Sequence, residues 1–398
     1  MNTIPFQLSN EQRKYLGLVP VEEHWELVEL AGSYVYFDGD VIRKKIKLED
    51  GGYYECELAE VTAENRTMLL PKTAKGKTKK LNYTATLSFK SLGVYFSFSA
   101  YYGYVSIANY TTQKTWYSGK IKTQATLDDL QGWLNEWIAT STEQDLADIE
   151  QFKNEKRQHQ KYKEGDFFAF KIGRREWGFG RILIDVATRR KTVEFKQLKH
   201  SGLTHLMGKA LIVKIYHKKS TSLDLNLDEL SKQMALPSQA VMDNTVYYGE
   251  FPIIGHLPLM ENEYDMLISY SQSIDSENYN LVYLQYGFIY LELPIDQFNL
   301  YLTKRIEGYG EADNPYRNEG IGYGVDIKGL SECIRHADNH AFWANGLNDT
   351  DLRHPENKQI KTEIFAAFGL DANRSYAENL AIFGGVSKSM LKERQVRI

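Results

Sequence analysis

The sequence predicts an α+β protein, mainly antiparallel β, with a central SH3-like or similar β-barrel and helical segments at the domain junction and the C-terminus. Three observations carry this. Short segments rich in Tyr, Phe, Thr and Val are separated by Gly- and Asp-containing turns, the composition of a pleated, half-buried surface. Two stretches, 126–160 and the region beyond 330, switch to helical spacing. Glycines recur inside one of the central strand-like runs, as they do where a barrel strand bends. A chain of 398 residues with 42% hydrophobic and 25% charged residues has the composition of an ordinary globular protein rather than a disordered one.

In chain order, Leu8 to Leu16 reads as a short helix capped by Ser9. Ser33 to Phe37, Val41 to Leu48 and Tyr53 to Val61 read as strands joined through Asp38-Gly39-Asp40 and Asp50-Gly51-Gly52, the chemistry of hairpin turns. Thr84 to Phe89, Val94 to Tyr101 and Val105 to Tyr110 read as a further meander. From Thr126, Leu127, Leu130, Trp133, Leu134, Trp137 and Ile138 fall on one helical face, and Ser141-Thr142 restarts a second helix carrying Leu146, Ile149 and Phe152. The polar run Asn154 to Lys163 marks a domain junction, giving an N-terminal α+β domain over 1–160.

A central β-rich domain is expected over 161–300. Its strands are Phe167 to Ile172, Trp177 to Asp185, Thr192 to Gln197, Ala210 to Tyr216, Val246 to Ile254, Met266 to Tyr270, Asn280 to Tyr283 and Gly287 to Leu293. Leu225 to Met234 reads as a helical turn. The remainder, 301–398, is expected to open with a long glycine-rich loop, Gly308 to Gly324. Helices Leu330 to Trp343, Lys358 to Phe368 and Ala377 to Phe383 follow, and then a basic tail.

The central domain carries a motif set: Gly165-Asp166 before an aromatic strand, then Trp177-Gly178-Phe179-Gly180-Arg181-Ile182-Leu183, then Pro252-Ile253-Ile254-Gly255-His256-Leu257-Pro258. Over residues 161 to 300 this resembles the immunity protein 26 family of bacterial polymorphic toxin systems. The resemblance implies a mostly-β domain that binds and neutralises a cognate toxin without catalysing a reaction. The long segments on either side are additions to a minimal immunity protein.

Charge is divided unevenly behind a net of -4: Lys161 to Lys219 holds fifteen Lys/Arg against five Asp/Glu, whereas Val246 to Asp326 holds three against thirteen. The acidic stretch, through Glu261, Glu263, Asp265, Asp275, Glu277, Glu307, Glu311, Asp313 and Glu319, is the expected contact for a basic toxin such as a nuclease. The runner-up function is nucleic-acid binding through Arg174, Arg175, Arg189, Arg190 and Lys191 in loops at the barrel ends. An enzyme with an unrecognised site is the third.

Motifs for chemistry fail at the level of spacing. Gly76-Lys77-Thr78 lacks the first glycine of a phosphate-binding loop, because Pro71 stands there. Gly320, Gly322 and Gly324 lack the third-glycine spacing of a dinucleotide fingerprint. No GxSxG elbow occurs. Glu332, His336 and His340, at i, i+4 and i+8, would share one face of a continuous helix, which makes them the weak candidate for a metal where otherwise none is expected. No cofactor is expected. Two distant cysteines, Cys56 and Cys333, exclude a disulfide framework and fit a reducing, cytoplasmic setting. No apolar run reaches the roughly 18 residues of a membrane helix, so no membrane partner is expected.

Overall fold

In the computed structural model the described residues are 4–383, apart from 31, 71, 194, 196–202, 204–205, 207, 274–279, 303, 307–309, 313–315, 319 and 323–326. They divide into two compact units, 1–160 with 248–250, and 161–247 with the residues from 251 onward.

The first unit opens with α1 (Asn10–Tyr15), capped reciprocally by Ser9 and Gln12. Strands β1 (Glu26–Leu30), β2 (Ser33–Asp38), β3 (Val41–Glu49) and β4 (Gly52–Ala63) follow. Next come the two-residue strands β5 (Met68–Leu69) and β6 (Lys79–Lys80), then α2 (Tyr83–Leu87). Strands β7 (Leu92–Ser99), β8 (Tyr104–Asn109) and β9 (Lys114–Lys120) precede helices α3 (Leu127–Ala139) and α4 (Glu143–Asn154). The antiparallel sheet runs β1-β2-β3-β4-β7-β8-β9, with β5 and β6 attached to β4. Leu130, Leu134 and Trp137 of α3 and Ile149 and Phe152 of α4 bury against Phe96, Val105, Ile107 and Trp116 of one sheet face. Thr126 and Thr142 cap the two helices through Asp129 and Asp145, so the expected restart at Ser141-Thr142 is present. The expected strand Thr84 to Phe89 is instead α2. The Asn82 side chain accepts the Ala85 amide at 3.0 Å, and this local cap outweighs the β preference of Tyr83, Thr84 and Thr86.

Inside this unit Glu55 is fully buried. It accepts Arg13 Nε at 2.8 Å, Lys44 Nζ at 2.6 Å and the Tyr53 hydroxyl. Burial pushes its pKa upward, but Lys44 and Arg13 outweigh that and hold the carboxyl below the usual glutamate value.

In the second unit β10 (Asp166–Lys171), β11 (Trp177–Asp185), the short α5 (Val186–Arg189) and β12 (Ala210–Ser220) lead to α6 (Leu227–Ser231). β13 (Gln239–Met242), α7 (Asn244–Tyr247) and β14 (Ile253–His256) complete an antiparallel sheet in the order β13-β12-β11-β10-β14. β15 (Ile268–Gln272), β16 (Leu281–Tyr286) and β17 (Ile289–Pro294) form a second sheet, and β18 (Lys304–Ile306) pairs with β19 (Gly310–Ala312). Helices α8 (Ile327–His336), α9 (His340–Trp343) and α10 (Lys358–Ala367) follow, and residues 376–383 are helical. No helix among the described residues is long and apolar enough to cross a membrane.

The α+β, mainly antiparallel class is thus present, but the expected barrel does not close among the described residues: β13 and β14 are open edges of the central sheet. Both faces of that sheet are covered instead. Leu183, Ile184, Ile212 and Ala240 share a core with Ile268, Leu284 and Ile289 of the second sheet and with Ile364 and Phe365 of α10. Ile182, Leu211, Val213 and Ile215 pack with Leu330, Cys333 and Phe342 of α8 and α9. Coverage on two sides explains why β11 is buried without a break from Gly178 to Ile184 and apolar there except at Arg181.

Three further expectations are corrected. The strand Val246 to Ile254 is the end of α7, a turn and then β14. The glycine-rich segment Gly308 to Gly324 contains β19. Of Thr192 to Gln197, Val193 and Phe195 are helical, and 194, 196 and 197 lie outside the described residues, as does the basic tail.

Candidate functional site: an arginine-braced turn

The three motifs of the central segment meet at one side chain. β10 pairs with β11 so that Phe168 faces Gly180 and Phe170 faces Gly178. Directly opposed residues share a face of the sheet, and the glycines leave that face open to the phenylalanine rings. A Cβ added at Gly180 would stand 2.3 Å from Phe168 Cζ, and one at Gly178 2.5 Å from Phe170 Cζ. Their main role is therefore to make room for rings, although the β11–β12 register also shifts between Gly178 and Gly180, as a bulge requires.

Arg181 lies on the opposite face. It is 1% exposed, with its guanidinium 4.4 Å over the Phe167 ring. It donates from Nη2 to the carbonyls of Leu257 at 2.7 Å and Pro258 at 3.1 Å, and from Nε to Gly165 at 3.4 Å. Nη1 holds the Glu263 carboxylate in a charge-assisted pair. Glu263 in turn accepts the Met260 amide at 2.8 Å, and its own carbonyl accepts Lys214 Nζ at 3.0 Å. Burial holds the Lys214 ammonium below the usual lysine value. It pushes the Tyr216 hydroxyl, stacked on Phe167, up to about 12.

Gly165 adopts φ +89° and approaches the Leu257 carbonyl so closely that a Cβ would lie 2.4 Å from it. Asp166 accepts from Lys163 N and pairs with His256 Nδ1, both at 2.8 Å. The turn 257–263 is thus tied from inside by Gly165 and Arg181, while Asp166 holds His256 just before it. At its apex Met260 is 66% exposed, and Glu261 is exposed beside it.

Residues 163–281 match the family model Immunity protein 26. Neither a curated protein nor a solved structure matches the chain. The Immunity protein 26 segment starts two residues before Gly165 and ends at Leu281, the first residue of β16, so the whole braced turn lies within it. The family resemblance of the central motifs therefore holds over most of the expected 161–300.

The acidic candidates divide around this turn. Glu261 is exposed at the apex, whereas Glu263 is spent on Arg181. Asp265 accepts the Ser238 amide at 2.6 Å and lies 3.5 Å from Arg353 Nη1. Glu311 sits opposite Arg305 in the β18–β19 pair. Asp275, Glu277, Glu307, Asp313 and Glu319 lie outside the described residues. The sequence predicts one acidic surface from all of these residues. The part played by Arg181 has a single signal there, a cation inside an otherwise apolar strand.

Among the basic candidates, Arg189 is turned onto Glu164, with Nε at 2.8 Å from its carboxylate, and Arg190 donates to the carbonyls of Leu203 and Leu206. Arg174 and Arg175 lie in the β10–β11 turn, and Lys191 is exposed after α5. The structure does not bring these five cations together as one barrel-end surface. The metal candidate is also corrected. α8 ends at His336 and Ala337 takes φ +52°, so His340 opens a new helix instead of continuing the Glu332–His336 face. Glu332 pairs with Arg335 at 3.0 Å and lies 3.5 Å from His336. No metal-binding group of three or more His, Cys, Asp or Glu occurs among the described residues.

Proposed function

We propose that the chain is a non-catalytic binder that neutralises a cognate bacterial toxin by occluding its surface, and that the turn 257–263 is part of the contact. The observation that carries the reading is the coincidence of the Immunity protein 26 match with a turn braced from within. The brace fixes the backbone before a partner arrives, and a preformed turn loses less conformational freedom on binding than a loose one. Met260 offers a large, adaptable apolar contact, and Glu261 places a negative charge beside it. Glu307, Glu311, Asp313 and Glu319 extend the proposed acidic contact, which suits a basic toxin such as a nuclease.

The test is co-expression in a bacterial host with candidate toxin domains, beginning with any that is encoded next to this gene. Growth restored by the chain, together with a complex that co-elutes at fixed stoichiometry, supports the proposal. Continued killing with both proteins soluble contradicts it.

A further inference from the structure

A second site stands apart from the braced turn. The described residues form an open cleft of about 530 Å³, lined among others by Asp265, Trp343, Arg353 and His354 and by Lys358 and Lys361 of α10. Most of this lining lies beyond the Immunity protein 26 match, in the helical C-terminal part of the second unit.

The charges of the cleft do not balance. Arg353 is satisfied: it forms a bidentate pair with Asp351 at 2.7 and 3.0 Å, donates to Ser238 Oγ at 2.9 Å and lies 3.5 Å from Asp265. Asp265 also acts on Lys361, so Arg353, Lys358 and Lys361 face two carboxylates, Asp351 and Asp265, and the cleft holds one cation in excess. Among the described residues neither lysine ammonium has an ion pair or a hydrogen-bond partner. Lys361 is half-buried with its Nζ 5.2 Å over the Phe365 ring, and burial lowers its pKa. His354 Nδ1 accepts the Glu356 amide at 3.1 Å, which assigns the ring proton to Nε2. Trp343 packs edge-to-face on His354 with ring centroids 5.1 Å apart and supplies an aromatic wall.

We propose that this cleft binds a phosphate monoester carried on a planar group, of the nucleoside monophosphate class. Two ammonium groups and an imidazole N–H match the several acceptor oxygens of a dianion, and an indole wall suits a planar base. The volume accommodates a ligand of that size. The site is independent of toxin binding, and its failure would leave that proposal standing.

The experiment is titration calorimetry of the full chain with AMP, inorganic phosphate and adenosine in separate arms, repeated on Lys361→Met and on the exposed Lys358→Gln. The expected result is saturable binding of AMP and weaker, competing binding of phosphate. Each lysine variant should lose about tenfold or more in AMP affinity, the size of one charge-assisted hydrogen bond. AMP that fails to bind at millimolar concentration overturns the proposal. So does an affinity unchanged in Lys358→Gln, a variant whose solvent-facing position leaves folding intact. Phosphate binding as tight as AMP removes the planar group, and with it Trp343, from the site.

Discussion

Glu263→Ala tests the brace beneath the turn. The substitution leaves the Arg181 guanidinium, 1% exposed, with carbonyl acceptors at Gly165, Leu257 and Pro258 but no counter-charge. Removing one partner of a buried ion pair costs about 3–5 kcal/mol. The three carbonyls remain and Glu263 itself reaches solvent at 14% exposure, so the lower end, about 3 kcal/mol, is the expected cost. The Met260 amide also loses its acceptor. Urea unfolding followed by hydrogen exchange of peptides spanning 163–185 and 253–263 measures both effects, because it separates the second unit from the first. Arg181→Met removes the stranded charge, so the double variant Arg181→Met/Glu263→Ala should be at least about 1 kcal/mol more stable than the sum of the single changes implies. A Glu263→Ala cost under about 0.5 kcal/mol, the range of an ordinary surface change, with exchange in 257–263 unchanged, would refute the claim that this pair holds the turn.

Other expectations concern single features. Gly180→Ala forces a Cβ to within 2.3 Å of Phe168 Cζ and 2.9 Å of the Lys214 carbonyl; it should destabilise the second unit by about 1–3 kcal/mol, read by thermal unfolding, and Phe168→Leu should recover part of the loss. Asn82→Ala removes the cap of α2 and should cost roughly 1 kcal/mol locally, visible as faster exchange at 83–88. Glu55 is held below the usual glutamate value, so its contribution to the first unit is present above the unfolded value of about 4.3 and is lost as pH falls through the lower folded value. Acid unfolding of that unit should therefore shift to higher pH in Lys44→Met, which removes one of the cations that depress Glu55. Met260→Ala and Glu261→Lys should each change stability by no more than about 0.5 kcal/mol, since both side chains are exposed.

The parts of this molecule legible in the sequence are those where local pattern and tertiary environment agree. The Asp-Gly hairpins of the first unit, the two capped helices α3 and α4 and the paired strands β10 and β11 follow from turn chemistry, capping residues and apolar spacing alone. Where a side chain decides locally against composition, the sequence misleads. Asn82 turns a Tyr/Thr-rich stretch into a helix, and Ala337 at positive φ breaks one helix into two, which separates His340 from Glu332 and His336. The glycines of β11 suggested a barrel because a bend and a vacated ring site leave the same mark in one strand, and only the facing phenylalanines distinguish them. β1 and β9 are hard to see in the sequence because these edge strands, ELVEL and KTWYSGK, bury at most one residue fully and so carry no clear apolar alternation.

The candidate site was legible as motifs and not as a geometry. Gly165-Asp166, Arg181 and Gly255 to Pro258 could be named one by one, but their convergence depends on contacts across 76 residues of chain between Arg181 and Leu257. The acidic count was correct as arithmetic. It could not separate Glu261, which faces solvent, from Glu263, which neutralises a buried guanidinium two residues away.

The most direct test of the central claim is the affinity of the chain for a toxin domain whose killing it is tested against in co-expression, measured by calorimetry for the natural protein and for Met260→Ala/Glu261→Lys. A one-to-one complex is expected, weakened in the double variant by about 2 kcal/mol or more, the loss of a hot-spot contact, while the unfolding midpoint stays unchanged. The absence of any complex would contradict toxin neutralisation. A complex of unaltered affinity in the double variant would remove the braced turn from the contact.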